Sequence, residues 1–375
     1  MRSTAGNLLG GGVEFPFPIL GFPLPLSALN PMRKIITLTE GHSNPHTAKT
    51  ACSLIRYRPD EVVAVLDSTN QGKMSQDVLG VGNVPVVGSL AEAPGADTLL
   101  MGIAPPGGKI PDAWRPIILE AISRKMNLVS GLHDFISDDP EFAAAAKEVG
   151  VTIHDVRKNT EKSIARRVGL NDSCLRIHTV GHDCSIGKMV VSIEITNALK
   201  KRGHDAKFVA TGQTGIMVEG DGLPVDCIVA DFVSGAAEKL VLQNQHHEMM
   251  LIEGQGSLVH PSYSGVTLSL LHGCFPHGLV MCYEVGRDCV AGIEHVKLPS
   301  LAELITMYEM MAGFVRPCPV IGVAMNSRGV SLEAANDERK RVSDELGLPV
   351  VDVFRHGADA LVDAVLKLQA SRKSP

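Results

Sequence analysis

From residue 33 onward, short apolar runs alternate with amphipathic stretches, and this alternation predicts a parallel α/β architecture. In the first half the pattern predicts strands over 34–38, 62–66, 98–103, 127–130 and 152–155, with helices over 47–56, 112–124 and 140–149. The last helix carries a start signal, since Asp138 and Asp139 precede Pro140 in its first turn. The second half repeats the alternation. Its strands are expected at 175–180, 207–211, 226–231, 249–252, 278–283, 320–325 and 350–353, and its helices at 189–202, 235–244, 301–312, 332–345 and 358–369. The charged, polar stretch 161–173 reads as a linker, and no repeat of 20–50 residues is evident.

The junction of the first strand and helix of the second half carries the most specific motif, Gly181-His182-Asp183-Cys184-Ser185-Ile186-Gly187-Lys188-Met189. This is the G-x-x-x-x-G-K spacing of a phosphate-binding loop, in the strand–loop–helix context that gives the motif its meaning. Glycines let backbone N–H groups turn inward around an anion, the helix N-terminus adds partial positive charge, and Lys188 supplies a point charge. The Ser or Thr that follows the lysine in nucleotide hydrolases, and there holds Mg²⁺, is here Met189. Phosphate binding by Gly181, Asp183, Cys184, Ser185, Gly187, Lys188 and Met189 is therefore expected without a metal ligand, and Mg-ATP hydrolysis is disfavoured. A Gly-rich turn with no ligand is the bland alternative. The chain thus divides into an extension (1–31), a Rossmann-like N-terminal domain (32–165) and a P-loop NTPase-like C-terminal domain with a mostly parallel sheet (166–375).

Composition narrows the function classes. The 375 residues carry a net charge of −6, with 45% hydrophobic, 20% charged and 4% aromatic residues. There is no basic block, so nucleic-acid binding has no support. Eight cysteines are scattered without a C-x-x-C pair, which favours reduced thiols and a cytoplasmic setting over a disulfide framework or zinc ribbon. Residues 1–31 contain prolines at 16, 18, 23, 25 and 31, which forbid a membrane helix and break a signal peptide's apolar core. No role is assigned to this extension.

Ligands of open parallel sheets bind beyond the carboxyl ends of the strands. In the second half those ends carry Gly212-Gln213-Thr214-Gly215, Ala230-Asp231, Glu253-Gly254-Gln255-Gly256-Ser257 with His260, and Asn326-Ser327. Asp231 and Glu253 are the carboxylates placed to orient a nucleophile or act as general base, with helix capping or pairing with Lys188 as the structural alternative. His260 is a candidate proton carrier, or a turn residue before Pro261. His246 and His247 fit a helix end rather than a metal site. In the first half, residues 67–73, 102–108 and 130–135 are further Gly/polar loops, and the absence of G-x-G-x-x-G after the first strand argues against a dinucleotide. A substrate or partner-domain surface fits better.

The runs GHDCSIGKM, FVATGQTGIMVEGDGLPVDCIVADFVSGAAE and LIEGQGSLVHPSYSGVT, with LDSTNQGK, MGIAPPGGKIP and VSGLHDFISDDP before them, resemble the D-glutamate N-acetyltransferase family of P-loop proteins. The resemblance spans roughly residues 33 to 370. More distantly, the phosphate loop and EGQGS are similar to dethiobiotin synthetase, from which Met189 departs. The family resemblance implies acetyl transfer from acetyl-CoA, as co-substrate, to the amine of D-glutamate. On that reading the loop grips the CoA phosphates, and Asp231, Glu253 or His260 takes the ammonium proton. Gly254, Gly256 or Gly215 supply N–H groups to the oxyanion, with Gln213 and Ser257 beside the substrate. Arg287 and Lys73 are candidates for the substrate carboxylates only by lying near Gly-rich loops. The alternatives are an ATP-dependent ligase or kinase of the dethiobiotin-synthetase type and a non-catalytic nucleotide sensor. The Met-rich stretch 308–311 is read as core, with a homo-oligomer interface as its other reading.

Overall fold

The computed structural model describes residues 33–103 and 108–373, so the extension read at 1–31 and part of the loop 102–108 lie outside the described residues. The first half builds one six-stranded parallel sheet from β1 (Ile35–Leu38), β2 (Val62–Leu66), β3 (Val86–Val87), β4 (Thr98–Met101), β5 (Asn127–Ser130) and β6 (Ile153–Asp155), in the order β3-β2-β1-β4-β5-β6. The order reverses direction between β1 and β4, the Rossmann-like switch point at which such sheets open a crevice.

The second half builds another six-stranded parallel sheet. Its strands are β7 (Leu175–Gly181), β8 (Ala206–Val209), β9 (Met249–Ile252), β10 (Gly278–Glu284), β13 (Val320–Asn326) and β14 (Val350–Val351), in the order β14-β13-β10-β7-β9-β8. Between β10 and β13 the chain adds an antiparallel hairpin, β11 (Cys289–Val290) with β12 (Ile293–Lys297). All seven residues of β7 are buried, as befits a central parallel strand covered by helices on both faces. The fold is α/β throughout, with a Rossmann-like first half and a P-loop second half.

Three local readings need correction. Residues 226–231 are not a strand: a 3₁₀ turn (Val225–Cys227) leads into a helix that begins at Ala230 and runs to Asn244. Within this short apolar run Ile228 is buried while Val229 is 67% exposed, and β8 ends the sheet with no further partner among the described residues. Such a run cannot be told from a helix approach by periodicity alone. Helices Gln213–Glu219 and Ser264–Cys274 were unmarked because Gly215, Gly265 and Gly273 sit inside them. The linker 161–173 has no regular structure but is pinned: the Arg166 and Arg167 N–H groups donate to the buried Glu238 carboxylate at 2.6–3.0 Å.

The two halves share a core. Met217, Ile216, Phe208 and Ile193 of the second half are buried in one cluster with Leu54, Leu128 and Leu132 of the first, and Met189 packs against that cluster. Polar contacts reinforce it, with Thr50 and Thr214 hydroxyls 3.0 Å apart and Tyr57 donating to Glu194 at 2.7 Å. The loops that follow strands of the first sheet meet those that follow strands of the second. Gly131, after β5, lies against the Gln213 side chain, and Arg157, after β6, binds Asp226 through Nε and Nη2 at 3.0 and 2.8 Å. Both sheets therefore aim their carboxyl ends at one cleft.

Candidate active site

The phosphate loop forms where the sequence places it. β7 ends at Gly181, the helix Lys188–Lys201 begins at Lys188, and Gly187 holds the left-handed φ of 109° that the turn requires. Ser185 is exposed and also left-handed, at φ 56°. Lys188 is buried and folds back over the loop, its Nζ donating to the Asp183 carbonyl at 2.6 Å. Burial lowers its pKa, opposed by the negative potential of Cys184, Cys282, Asp183 and Glu253.

Asp183 and Arg287 act as a scaffold for this loop. The fully buried Asp183 carboxylate accepts from Cys184 N (2.7 Å), Ala291 N (2.9 Å) and Arg287 Nη1 (2.8 Å). Burial opposes its ionisation, but the Ala291 and Cys184 amides and Arg287 outweigh it, so its pKa is lowered. Arg287 also donates to the Cys184 carbonyl at 3.1 Å and pairs with Glu284. These commitments turn its guanidinium onto the loop. Ser257 is buried and donates to the His182 carbonyl, and Tyr308 donates to the Gly181 carbonyl at 2.7 Å. The stretch read as core thus holds Tyr308 inside, while Met310 is 62% exposed. Among histidines, burial drives His182 down to about 4, and its neutral Nε2 accepts from Glu284 N.

Glu253, immediately after β9, is the carboxylate the structure brings to the loop. It is 4% exposed, and its Oε2 accepts from Thr211 N (2.9 Å) and Gly212 N (3.0 Å). Desolvation pushes its pKa up to about 7; the Thr211 and Gly212 amides oppose the rise. A Cβ at 215 would displace this carboxylate, and at 254 only glycine fits, because a Cβ would collide with the Thr179 carbonyl. The N–H of Gly254 already donates to Thr179 Oγ1 at 3.0 Å, so it is not free for an oxyanion. Gly256 takes a left-handed φ of 63°.

Asp231 is elsewhere. It lies exposed in the first turn of the helix Ala230–Asn244, where a carboxylate suits the helix dipole, and the strand end it was expected to occupy does not exist. Lys73 is exposed too, donating to Asn70 at 2.9 Å on the far side of β2. His260 is buried at the loop, with Nε2 4.0 Å from Asp183 Oδ1, and its Nδ1 accepts from Ser262 N. With Nδ1 accepting, Nε2 is the ring nitrogen turned to the loop as a donor. Asp183, Cys184 and His260 each offer a ligand atom within 4.8 Å of the others, but the Asp183 oxygens already accept three hydrogen bonds. Burial raises the Cys184 thiol, against the lowering by Lys188, so it is not a preformed thiolate.

The N-terminal half lines the opposite wall of the cleft. Lys49, His133 and Arg157 lie there, and His133 Nδ1 is 3.3 Å from Cys227 Sγ. None of the three was singled out from sequence as a site residue, because the signal is topological: His133 and Arg157 follow β5 and β6 of the other sheet, and Lys49 opens the helix that follows β1. A separate hollow of about 100 Å³, lined by Arg33, Asp97, Asn127 and His154, lies at the amino ends of the first sheet, away from where parallel sheets bind ligands.

Fold and site together define a two-domain P-loop protein whose phosphate loop faces a Rossmann-like partner domain across a cleft. The comparisons with known proteins make this specific. Residues 160–362 match the family described as a domain of unknown function, DUF1611_C, P-loop domain, and residues 68–159 its Rossmann-like DUF1611_N domain. The chain belongs to the DUF1611 family. It is 38% identical over 320 residues to the D-glutamate N-acetyltransferase of Tritonibacter scottomollicae, covering 85% of this chain and 94% of the relative. It is 39% identical over 269 residues to that of a Pseudoalteromonas species, covering 72% and 81%. The crystal structure of a DUF1611 family protein from Anabaena variabilis superposes with a TM-score of 0.84 at 37% identity, over 89% of this chain and 99% of that one. The chain is an enzyme of the N-acetyltransferase class. None of its described helices is long and apolar enough to cross a membrane.

Proposed function

We propose that this protein transfers the acetyl group of acetyl-CoA to the amine of D-glutamate, in the cytoplasm, with the reaction centred on Glu253. The observation that carries this reading is a carboxyl that titrates at about 7, buried beside a phosphate loop whose magnesium-binding position is a methionine. A base poised near pH 7 serves an acyl transfer, which must remove the ammonium proton before nitrogen attacks. Two relatives that are D-glutamate N-acetyltransferases point to the acceptor and the group transferred.

In this mechanism the loop 181–188 and the N-terminus of the helix Lys188–Lys201 hold the CoA phosphates, with Lys188 swinging from the Asp183 carbonyl to the anion. Ionised Glu253 takes the amine proton. The nitrogen lone pair then forms the C–N bond at the thioester carbonyl, and collapse of the tetrahedral intermediate breaks the C–S bond, the departing CoA thiolate taking the second nitrogen proton and leaving as the thiol. Nε2–H of His260 is placed as a donor to the charge that develops at the loop, with Asp183 behind it. Thermal unfolding with CoA, acetyl-CoA, ATP and ATP-Mg tests the reading, because a ligand at 100 times its dissociation constant stabilises by about 2.7 kcal/mol. Stabilisation by the two CoA species is expected. Stabilisation by ATP-Mg with none by CoA would sink it in favour of the ligase or nucleotide-sensor alternatives.

A further inference from the structure

The acceptor proposed above brings two carboxylates into a cleft that already holds Glu253, Asp226 and Asp183, so cations must face it. Neither cation expected from sequence is free for this: Arg287 is bound to the loop and Lys73 lies on the far side of β2. Of the groups on the opposite wall, His133 is engaged with Cys227 and Arg157 with Asp226, which leaves Lys49. It is the first residue of the helix Lys49–Tyr57, and its neighbour Thr50 shares a 3.0 Å hydroxyl contact with Thr214. Thr214 lies two residues from Gly212, whose N–H binds Glu253. That chain of contacts fixes the start of the helix across the cleft from the base. The Lys49 side chain is solvent-accessible and makes no ion pair or side-chain hydrogen bond among the described residues. Its surroundings are mixed. Desolvation and Arg157 lower its pKa, and Cys184, Glu253 and Asp226, the groups of the opposite wall, raise it.

Arg157 cannot take the same role, because Nε and Nη2 are spent on Asp226 and its residue is 8% exposed. The phosphate ligand has its own lysine, Lys188, on the other wall. We propose that Lys49, contributed by the Rossmann-like domain, binds a carboxylate of the amino-acid acceptor and sets its amine against Glu253. This inference rests on the acetyl-transfer reading. It makes the N-terminal domain the acceptor-binding half of the enzyme and the P-loop domain the donor-binding half.

Kinetics of thiol release by the full chain test it, with Lys49→Met and Lys49→Arg beside wild type. Loss of one charge-assisted contact should raise the KM for D-glutamate about 10- to 100-fold in Lys49→Met, with partial recovery in Lys49→Arg. The KM for acetyl-CoA should stay within about twofold. Unfolding midpoints should match wild type, since the side chain has no partner to lose. An unchanged acceptor KM, or an acetyl-CoA KM that rises in step, overturns the proposal. Calorimetric binding of glutarate, a dicarboxylate without an amine, gives a readout that needs no turnover. Glutarate that binds wild type and not Lys49→Met supports the carboxylate site, and equal binding to both refutes it. Absence of thiol release from wild type with D-glutamate would instead strike the acetyl-transfer reading itself.

Discussion

Glu253 is governed by two opposing forces. Removal from water favours its neutral form, and two backbone amides favour its charged form; desolvation wins, leaving the group near pH 7. As a base it must be ionised, so kcat/KM is expected to rise with pH through an inflection near 7, and Glu253→Gln should lose that limb while kcat falls about 10²- to 10⁴-fold. The same shift has a stability consequence of definite sign. Between the unfolded value of 4.5 and about 7 the folded state holds the extra proton, so the stability this group contributes is present below 4.5 and lost as pH rises through 7. Denaturant unfolding should therefore show Glu253→Gln gaining on wild type from pH 5 to pH 8, and a gap that does not move with pH would contradict the shift. Glu253 was legible in the sequence because a carboxylate after an apolar strand and before Gly-x-Gly has few structural uses. Asp231 satisfied the same pattern and lies on an exposed helix turn, since one dimension does not show whether an apolar run finds a strand partner.

At the scale of elements, the long apolar strands and capped helices were readable, while the short or glycine-broken ones were not. β2, β5, β9 and the helices Pro140–Val149 and Leu301–Ala312 fall where their patterns put them. The helix Gln213–Glu219 was hidden because its first residues, Gln213 to Gly215, read as a Gly/polar strand end, and Gly215 lies against the Glu253 carboxylate. The linker was legible as polar but not as fixed. Its anchor is the long-range bond from Arg166 and Arg167 to Glu238, and Gly235 leaves room for it, because a Cβ there would collide with the Ser163 carbonyl. Glu238→Ala, which leaves those N–H groups without an acceptor, should destabilise by about 1–3 kcal/mol in denaturant unfolding. Gly235→Ala should destabilise as well and expose the linker to protease, and unaltered resistance would show that the linker is held otherwise.

For the whole molecule, the informative residue is Met189. In sequence it is a missing hydroxyl; in the structure it packs against the apolar cluster shared by the two domains. The position that holds a metal in nucleotide hydrolases is occupied here by an apolar side chain packed against the cluster the two domains share. Met189→Ala should cost about 1–2 kcal/mol, below the range for a fully buried methionine, and Met189→Thr should not create Mg-ATP turnover. That two domains exist was legible, but that their strand ends share one cleft was not, because contacts such as Thr50–Thr214 and Arg157–Asp226 join residues far apart in the chain. On the proposed mechanism the phosphate loop holds the acyl donor while the base beside it serves the acceptor. Thiol release from acetyl-CoA with D-glutamate, measured for wild type and Lys188→Ala, tests it most directly. Release by wild type is expected, and in Lys188→Ala a KM for acetyl-CoA raised about tenfold or more with the D-glutamate KM nearly unchanged. An unchanged acetyl-CoA KM in Lys188→Ala, or no release by wild type, would contradict it.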